Sequence, residues 1–250
     1  MKDRQVLLVT GAGRGIGAAI ARLAAARGYA VGVNYRSDAD SAGRVVAEIE
    51  AAGGRALALP GDVSRDADVL EIFAALDGEF GPLTALVNNA GITGGTARIE
   101  AVTQEQIEKA FAVNVIGAFL CAREAVKRMS TAHGGQGGAI VNISSGAAKL
   151  GSPGVYVHYA ATKGALDSFT LGMAREVAAE GIRVNSLRVG ITDTDIHGFA
   201  ANPDKLARLS RIPPMQRVAA PEEIAESALW LLSDQASYVT AALIDAGGGM

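Results

Sequence analysis

Cysteine is nearly absent from this 250-residue chain. Cys121 stands alone, which excludes an internal disulfide framework and fits a reducing compartment. Any excess of basic charge is missing too. With 23 Lys and Arg against 26 Asp and Glu, the net charge is −3, and no stripe remains for a nucleic-acid backbone. No apolar run approaches the roughly 18 residues that cross a bilayer; Arg22 and Arg27 interrupt the most alanine-rich stretch. The opening MKDRQVLLVTGAG has neither the length nor the cleavage site of a signal peptide. His133, His158 and His197 are scattered, with no Cys or carboxylate at metal-ligand spacing, so no metal is expected. No linker, repeat or low-complexity tract divides the chain; HGGQGG at 133–138 is only long enough for a loop. These absences predict a cytoplasmic protein of one domain, residues 1–250, with no nucleic-acid or membrane partner.

What is present is ample core material, 49% apolar residues against 20% charged. Short β-branched runs at 5–10, 30–35, 55–60, 84–89, 138–144, 182–187 and 241–245 read as buried strands. Between them, 15–27, 39–52, 66–79, 103–130 and 159–179 carry helical spacing, and Glu222-Glu223 after Pro221 read as a first helical turn. The alternation predicts an α/β fold, a doubly wound parallel sheet of about seven strands with helices on both faces. Ligands of such sheets sit beyond the carboxyl ends of the strands, so the aperiodic stretch at about 191–217 is a candidate substrate lid.

The first strand runs into TGAGRGIG (10–17) and directly on to a helix. Glycines let the backbone turn tightly and approach a phosphate, and the helix N-terminus offers unpaired N–H groups to it. The common G-x-G-x-x-G spacing fails from Gly11, because Ile16 holds its third position. After the second strand comes Asn34-Tyr35-Arg36-Ser37, with no carboxylate before Asp38. A guanidinium there would grip a 2′-phosphate that a carboxylate would repel. Arg36 therefore suggests NADP(H), unless it is simply a solvated loop residue. Further on, Tyr159 and Lys163 in YAATK stack one helical turn apart on one face.

Taken together, these motifs resemble the short-chain dehydrogenase/reductase family, similar to its 3-oxoacyl-carrier-protein reductases and sugar dehydrogenases. Thr10, Gly11, Gly15 and Gly17 fit its TGxxxGxG loop, and NNAG (88–91), Asn114, Ser145, Tyr159 and Lys163 stand at its other signatures. The resemblance runs from the first strand to DAGGG near the C-terminus. It implies a Rossmann domain and hydride transfer between NADP(H) and a carbonyl or alcohol. Tyr159 would be the proton donor, Lys163 the cation that lowers its pKa and binds ribose, Ser145 the group orienting the carbonyl, and Asn114 the holder of a relay water. Implied cofactor contacts are Gly11, Arg14, Gly15, Ile16, Gly17, Arg36, Asp62, Val63, Asn89, Ala90, Gly91, Tyr159, Lys163, Gly190, Ile191 and Thr194. Asp62 would equally serve as a cap over Ser64–Asp66, and Asn88 resembles the residue bracing the central sheet. The family's assembly implies a homotetramer through the helices at 103–130 and 159–179.

The chain departs from the pattern in places. Ser145 to Tyr159 is one position longer than the commoner spacing, and Val189-Gly190 replaces a proline–glycine pair. Tyr156, His158, Phe199, Thr93 and Gly94 are candidate pocket residues. A catalytically silent NAD(P)-binding regulator on the same fold is the alternative, though such a protein would be expected to lose Tyr or Lys. An enoyl-reducing enzyme is a third reading, and those relatives depart from this Ser-Tyr-Lys spacing.

Overall fold

The computed structural model describes residues 5–194 and 203–250. Seven strands pair in parallel: β1 (Val6–Val9), β2 (Ala30–Tyr35), β3 (Arg55–Pro60), β4 (Ala85–Asn88), β5 (Gly138–Ser145), β6 (Ile182–Val189) and β7 (Leu243–Ala246), in the order β3-β2-β1-β4-β5-β6-β7. The crossing helices are α1 (Gly15–Ala26), α2 (Ala39–Ala51), α3 (Asp66–Phe80), α4 (Gln104–Phe111), α5 (Gly117–Met129), α6 (Ala147–Leu150), α7 (Val157–Val177), α8 (Pro203–Leu209) and α9 (Pro221–Leu232).

Continuous apolar strands are needed because both faces of the sheet are covered. Successive side chains point to opposite faces, so Leu7 and Val9 pack with α1, α2 and α9, whereas Val6 and Leu8 pack with α3, α5 and α7. Cys121 lies in the second of these layers, where burial pushes its thiol up to about 12 and makes it a packing residue. Strand order reverses direction between β1 and β4, so the loops leaving them part and open a cleft at the carboxyl edge.

The expected single helix at 103–130 is instead α4 and α5 joined by a π turn, Ala112–Ile116, in which the Gly117 N–H reaches back to the Ala112 carbonyl. The wider turn points Asn114 inward, where its side chain serves the backbone of Ile92. A capping box of Thr103 and Gln106 starts α4. Helix α7 begins two residues before its expected start, at Val157. The first turn expected at Glu222-Glu223 opens α9, where the Ala220 N–H donates to Glu223 Oε2 at 2.8 Å. Residues 195–202, including His197 and Phe199, lie outside the described part of the candidate lid. On either side of them, Thr192 bridges to Ala219 and α8 follows. No described helix is long and apolar enough to cross a membrane.

Candidate active site

The wall of the cleft nearest β1 is made by removing side chains. Gly11 and Gly15 take positive φ, +61° and +55°, which glycine alone adopts at little cost. A Cβ on Gly17 would lie 2.5 Å from Asn89 Nδ2 and 2.6 Å from the Gly11 carbonyl; one on Gly11 would lie 3.0 Å from Ala90 Cα. Thr10 joins the two loops, its Oγ1 accepting from the N–H groups of Asn89 and Ala90, both at 3.0 Å. Asn89 Nδ2 returns the bond to the carbonyls of Thr10 (2.9 Å) and Gly11 (3.1 Å). Asn89 is thus a brace under the turn. Ile16 packs against the sheet layer below, and Thr194 lies over Gly15, its Cγ2 3.2 Å from where a Cβ would stand. Gly190 lets its backbone meet Gly247, whose Cα would be 2.6 Å from a Cβ there, and Ile191 accepts the Ala219 N–H. This cradle fits a dinucleotide phosphate.

At the end of β2, buried Asn34 ties the loops together. Its Oδ1 accepts the Gly11 N–H at 3.2 Å, and its Nδ2 donates to the carbonyls of Leu59 and Gly61, both at 3.1 Å. Arg36 is half-exposed, with Nη1 3.9 Å from Asp62 Oδ2. Asp62 also accepts from the Ser64 N–H and hydroxyl, which closes a turn ahead of α3; the N-cap itself is Arg65, with no side-chain capping bond, so Asp62 is not the helix cap that the sequence offers as its other role. Asp38 caps α2 through Ser41, and those bonds hold its carboxyl below the usual range, with Arg44 and Arg14 adding to the effect. Val63 is buried with its Cγ2 2.8 Å from where a Cβ on Gly117 would be, so its side chain serves the start of α5.

On the other wall, β5 ends in Ser145 and α7 begins just before Tyr159. The Ser145 hydroxyl accepts the Ala147 N–H at 3.1 Å and faces the Tyr159 phenol. Lys163 is buried, its Nζ donating to the Ile143 carbonyl at 2.7 Å and lying 5.7 Å from the Tyr159 ring centroid. Asn114 Oδ1 accepts the Ile92 N–H (2.8 Å), while its Nδ2 donates to the Ile92 carbonyl and Thr162 Oγ1, both at 2.9 Å. Gly91 lies between them; a Cβ there would be 3.4 Å from Asn114 Oδ1 and 3.5 Å from Lys163 Nζ. Asn114, Ser145, Tyr159, Lys163 and Gly91 therefore come together beside the glycine cradle.

Among the described residues, burial, Ser145 and Tyr156 act on the Tyr159 hydroxyl, and Lys163 is not one of the groups that shift it. Burial pushes Tyr159 up to about 12, the Ser145 hydroxyl works against that, and Tyr156, edge-on at 5.3 Å, adds to it. Lys163 is itself desolvated, which lowers it to about 8 although Asp167 opposes the fall.

A family model described as enoyl-(acyl carrier protein) reductase matches residues 11–250. The chain belongs to the short-chain dehydrogenase/reductase family. Among oxidoreductases of that family, an uncharacterized oxidoreductase of Escherichia coli strain K12, YgfF, is 50% identical over 98% of this chain and 99% of its own. The 3-oxoacyl-[acyl-carrier-protein] reductase FabG of Staphylococcus epidermidis is 36% identical over 97% of each chain. The crystal structure of the angucycline C-6 ketoreductase LanV with bound NADP superposes with a TM-score of 0.90, at 35% identity over 98% of this chain and 95% of that one.

Several supports of this short-chain dehydrogenase site escaped the sequence reading. Thr162, inside YAATK, is an acceptor for Asn114, and nothing in its spacing marks it. Asn34, which the sequence marks only as not a carboxylate, ties the loop after β1 to the end of β3; a polar residue in an otherwise apolar strand is its signal. Asn88, expected to brace the sheet, donates to the Ala118 carbonyl (3.3 Å) and Asn142 Oδ1 (2.9 Å), and Asn142 passes the chain to Thr170 at 2.8 Å on α7. His158 packs against Gly94 beneath the loop after β4, buried, and neither ring nitrogen has a partner among the described residues.

Proposed function

We propose that the chain is an NADP(H)-dependent reductase that transfers a hydride between the cofactor and a carbonyl or alcohol substrate. The observation carrying this reading is the convergence of Tyr159, Ser145 and Lys163 beside the glycine cradle. Gly11, Gly15, Gly17, Ala90 and Thr194 would hold the pyrophosphate and ribose, with Asn89 bracing them. Arg14 and Arg36 would hold a 2′-phosphate, and no carboxylate stands between the end of β2 and Asp38, whose oxygens are engaged by Ser41. LanV, solved with NADP, supports the same cofactor. Ile191 and Gly190 would border the nicotinamide, Asp62 and the Val63 backbone the adenine, and residues 191–217 would cover the substrate.

The bound cofactor supplies or takes up the hydride. A phenol near 12 keeps its proton at neutral pH, so Tyr159 is ready to deliver it to the oxygen on which charge develops. Ser145 donates to that same oxygen and fixes its position. Lys163 supplies a cation against the ribose, and Asn114 holds the loop at Ile92 that lets Gly91 approach. The matched family model carries an enoyl-reductase description; the serine facing the phenol favours a carbonyl, because it supplies the second donor for a developing alkoxide. We further propose a cytoplasmic homotetramer. Half-exposed Ile116 and Phe119, the latter stacked on Phe169 of α7, support burial of that face, and light scattering tests it.

The deciding experiment is Tyr159→Phe with NADPH. Binding followed by cofactor fluorescence is expected to persist, while ketone reduction in a panel of 3-oxoacyl thioesters, quinones and aliphatic and aromatic ketones falls by about 10³-fold. Near-normal turnover would refute the reading.

A further inference from the structure

Beyond the residues that the family motifs mark, α7 carries a second buried charge. Asp167 follows Lys163 by one helical turn, so both side chains lie on one face. It is only 4% exposed. An uncompensated carboxylate at such a position is costly, and here each oxygen is satisfied separately. Oδ1 accepts from Ser186 Oγ at 2.8 Å and Oδ2 from Arg188 Nε at 2.7 Å, both donors on β6. From Arg188 the series runs outward. Its Nη1 is 3.8 Å from Asp245 Oδ1 on β7, and Asp245 Oδ2 accepts from Lys149 Nζ of α6 at 2.9 Å. Sheet register fixes the middle of this series, since Arg188 pairs with Ser144 on one side and Asp245 on the other.

We propose that Asp167 is a positioning residue for Lys163, holding it as a cation in the cleft across one helical turn and without a direct ion pair, while Asp167 is itself anchored by a series of alternating charges, Arg188, Asp245 and Lys149, that runs to the surface. The proposal rests on the reading of Lys163 as the cation of the cleft. Among the described residues, the titratable and charged groups around the amine are Tyr159 and Asp167 on its own helix, with Arg188 and Asp245 beyond. From β5, the π turn and the loop after β4 it meets the Ile143 carbonyl, the Asn114 amide and Gly91, all uncharged. Burial drives the amine toward neutrality, and Asp167 acts in the opposite direction. Without that carboxylate, Lys163 would shed its proton closer to neutral pH and Arg188 would be left to repel it.

The test is titration of Lys163 in the cofactor-free protein by NMR of ¹³C-labelled lysine ε-carbons, its signal identified by loss in Lys163→Met. Asp167→Asn is expected to lower the midpoint by about one pH unit. Arg188→Gln, which removes the cation competing for Asp167, is expected to raise it. The alkaline limb of NADPH-dependent kcat/KM should move the same way in each variant. Should Asp167→Asn fail to fold, the upward shift in Arg188→Gln carries the test. Unmoved midpoints, or a fall in kcat equal at every pH with the titration unchanged, would overturn the proposal. Retained turnover in Lys163→Met would instead defeat the role given to Lys163, while the midpoints still report whether Asp167 is coupled to it.

Discussion

The two walls of the cleft are built by opposite means. Along β1 the site is made of missing side chains: glycines at 11 and 15 bring bare backbone to the cleft, buried Gly17 lets α1 close against Asn89, and Thr10, Asn34 and Asn89 only hold the turn in place. Along β5 and α7 it is made of side chains buried against their chemical preference, a phenol raised to about 12 and an amine lowered to about 8. The first wall works by shape, and an added methyl group spoils it. The second works by charge, and only a change of functional group spoils it.

That contrast is broken most severely by Tyr159→Phe, the about 10³-fold loss of turnover with binding intact described above. Gly17→Ala should do the reverse. Its new Cβ would fall 2.5 Å from Asn89 Nδ2, so NADPH affinity, read by fluorescence titration, should drop about 100-fold, and substrate-saturated turnover of the fraction still loaded should change little. Arg36→Ala tests the outer rim of the first wall. Losing a charge-assisted contact should cut the preference for NADPH over NADH about tenfold, measured as the ratio of kcat/KM values. The smallest effect is on folding. Lys163 sits near 8 against an ordinary 10.5, so between those values the unfolded chain binds the proton, the folded one does not, and stability rises with pH. Tyr159, near 12 against 10.0, reverses the trend above about pH 10. Urea midpoints across pH 7–10 should rise in the wild type and lose that rise in Lys163→Met.

The first wall was also the more legible in sequence. Glycine has few reasons to recur after a buried strand, so TGAGRGIG and the alternating strands pointed to the sheet, the switch point and the cradle together. The second wall was readable only as a spacing. YAATK places Tyr159 and Lys163 on one face, but the depth of their burial depends on β5, the π turn and the loop after β4, which meet only in three dimensions. For that reason the burial that raises Tyr159 is not legible locally, and neither are Thr162 and Asp167, whose partners are 48 and 19 or more residues away. The π turn was hidden too, since VNVIGAF has an ordinary helical pattern and nothing local marks the extra residue.

That extra residue makes the frame between α4 and α5 a matter of counting. Deleting any one position from 112–116 would let the segment close into regular α-helix. Because the bulge absorbs its extra residue locally, the flanking helices would keep roughly their relative facing, but Asn114 would lose the inward position from which it reaches Ile92. A chain shortened by one residue here should therefore keep its sheet and its glycine cradle yet present a displaced loop to Lys163.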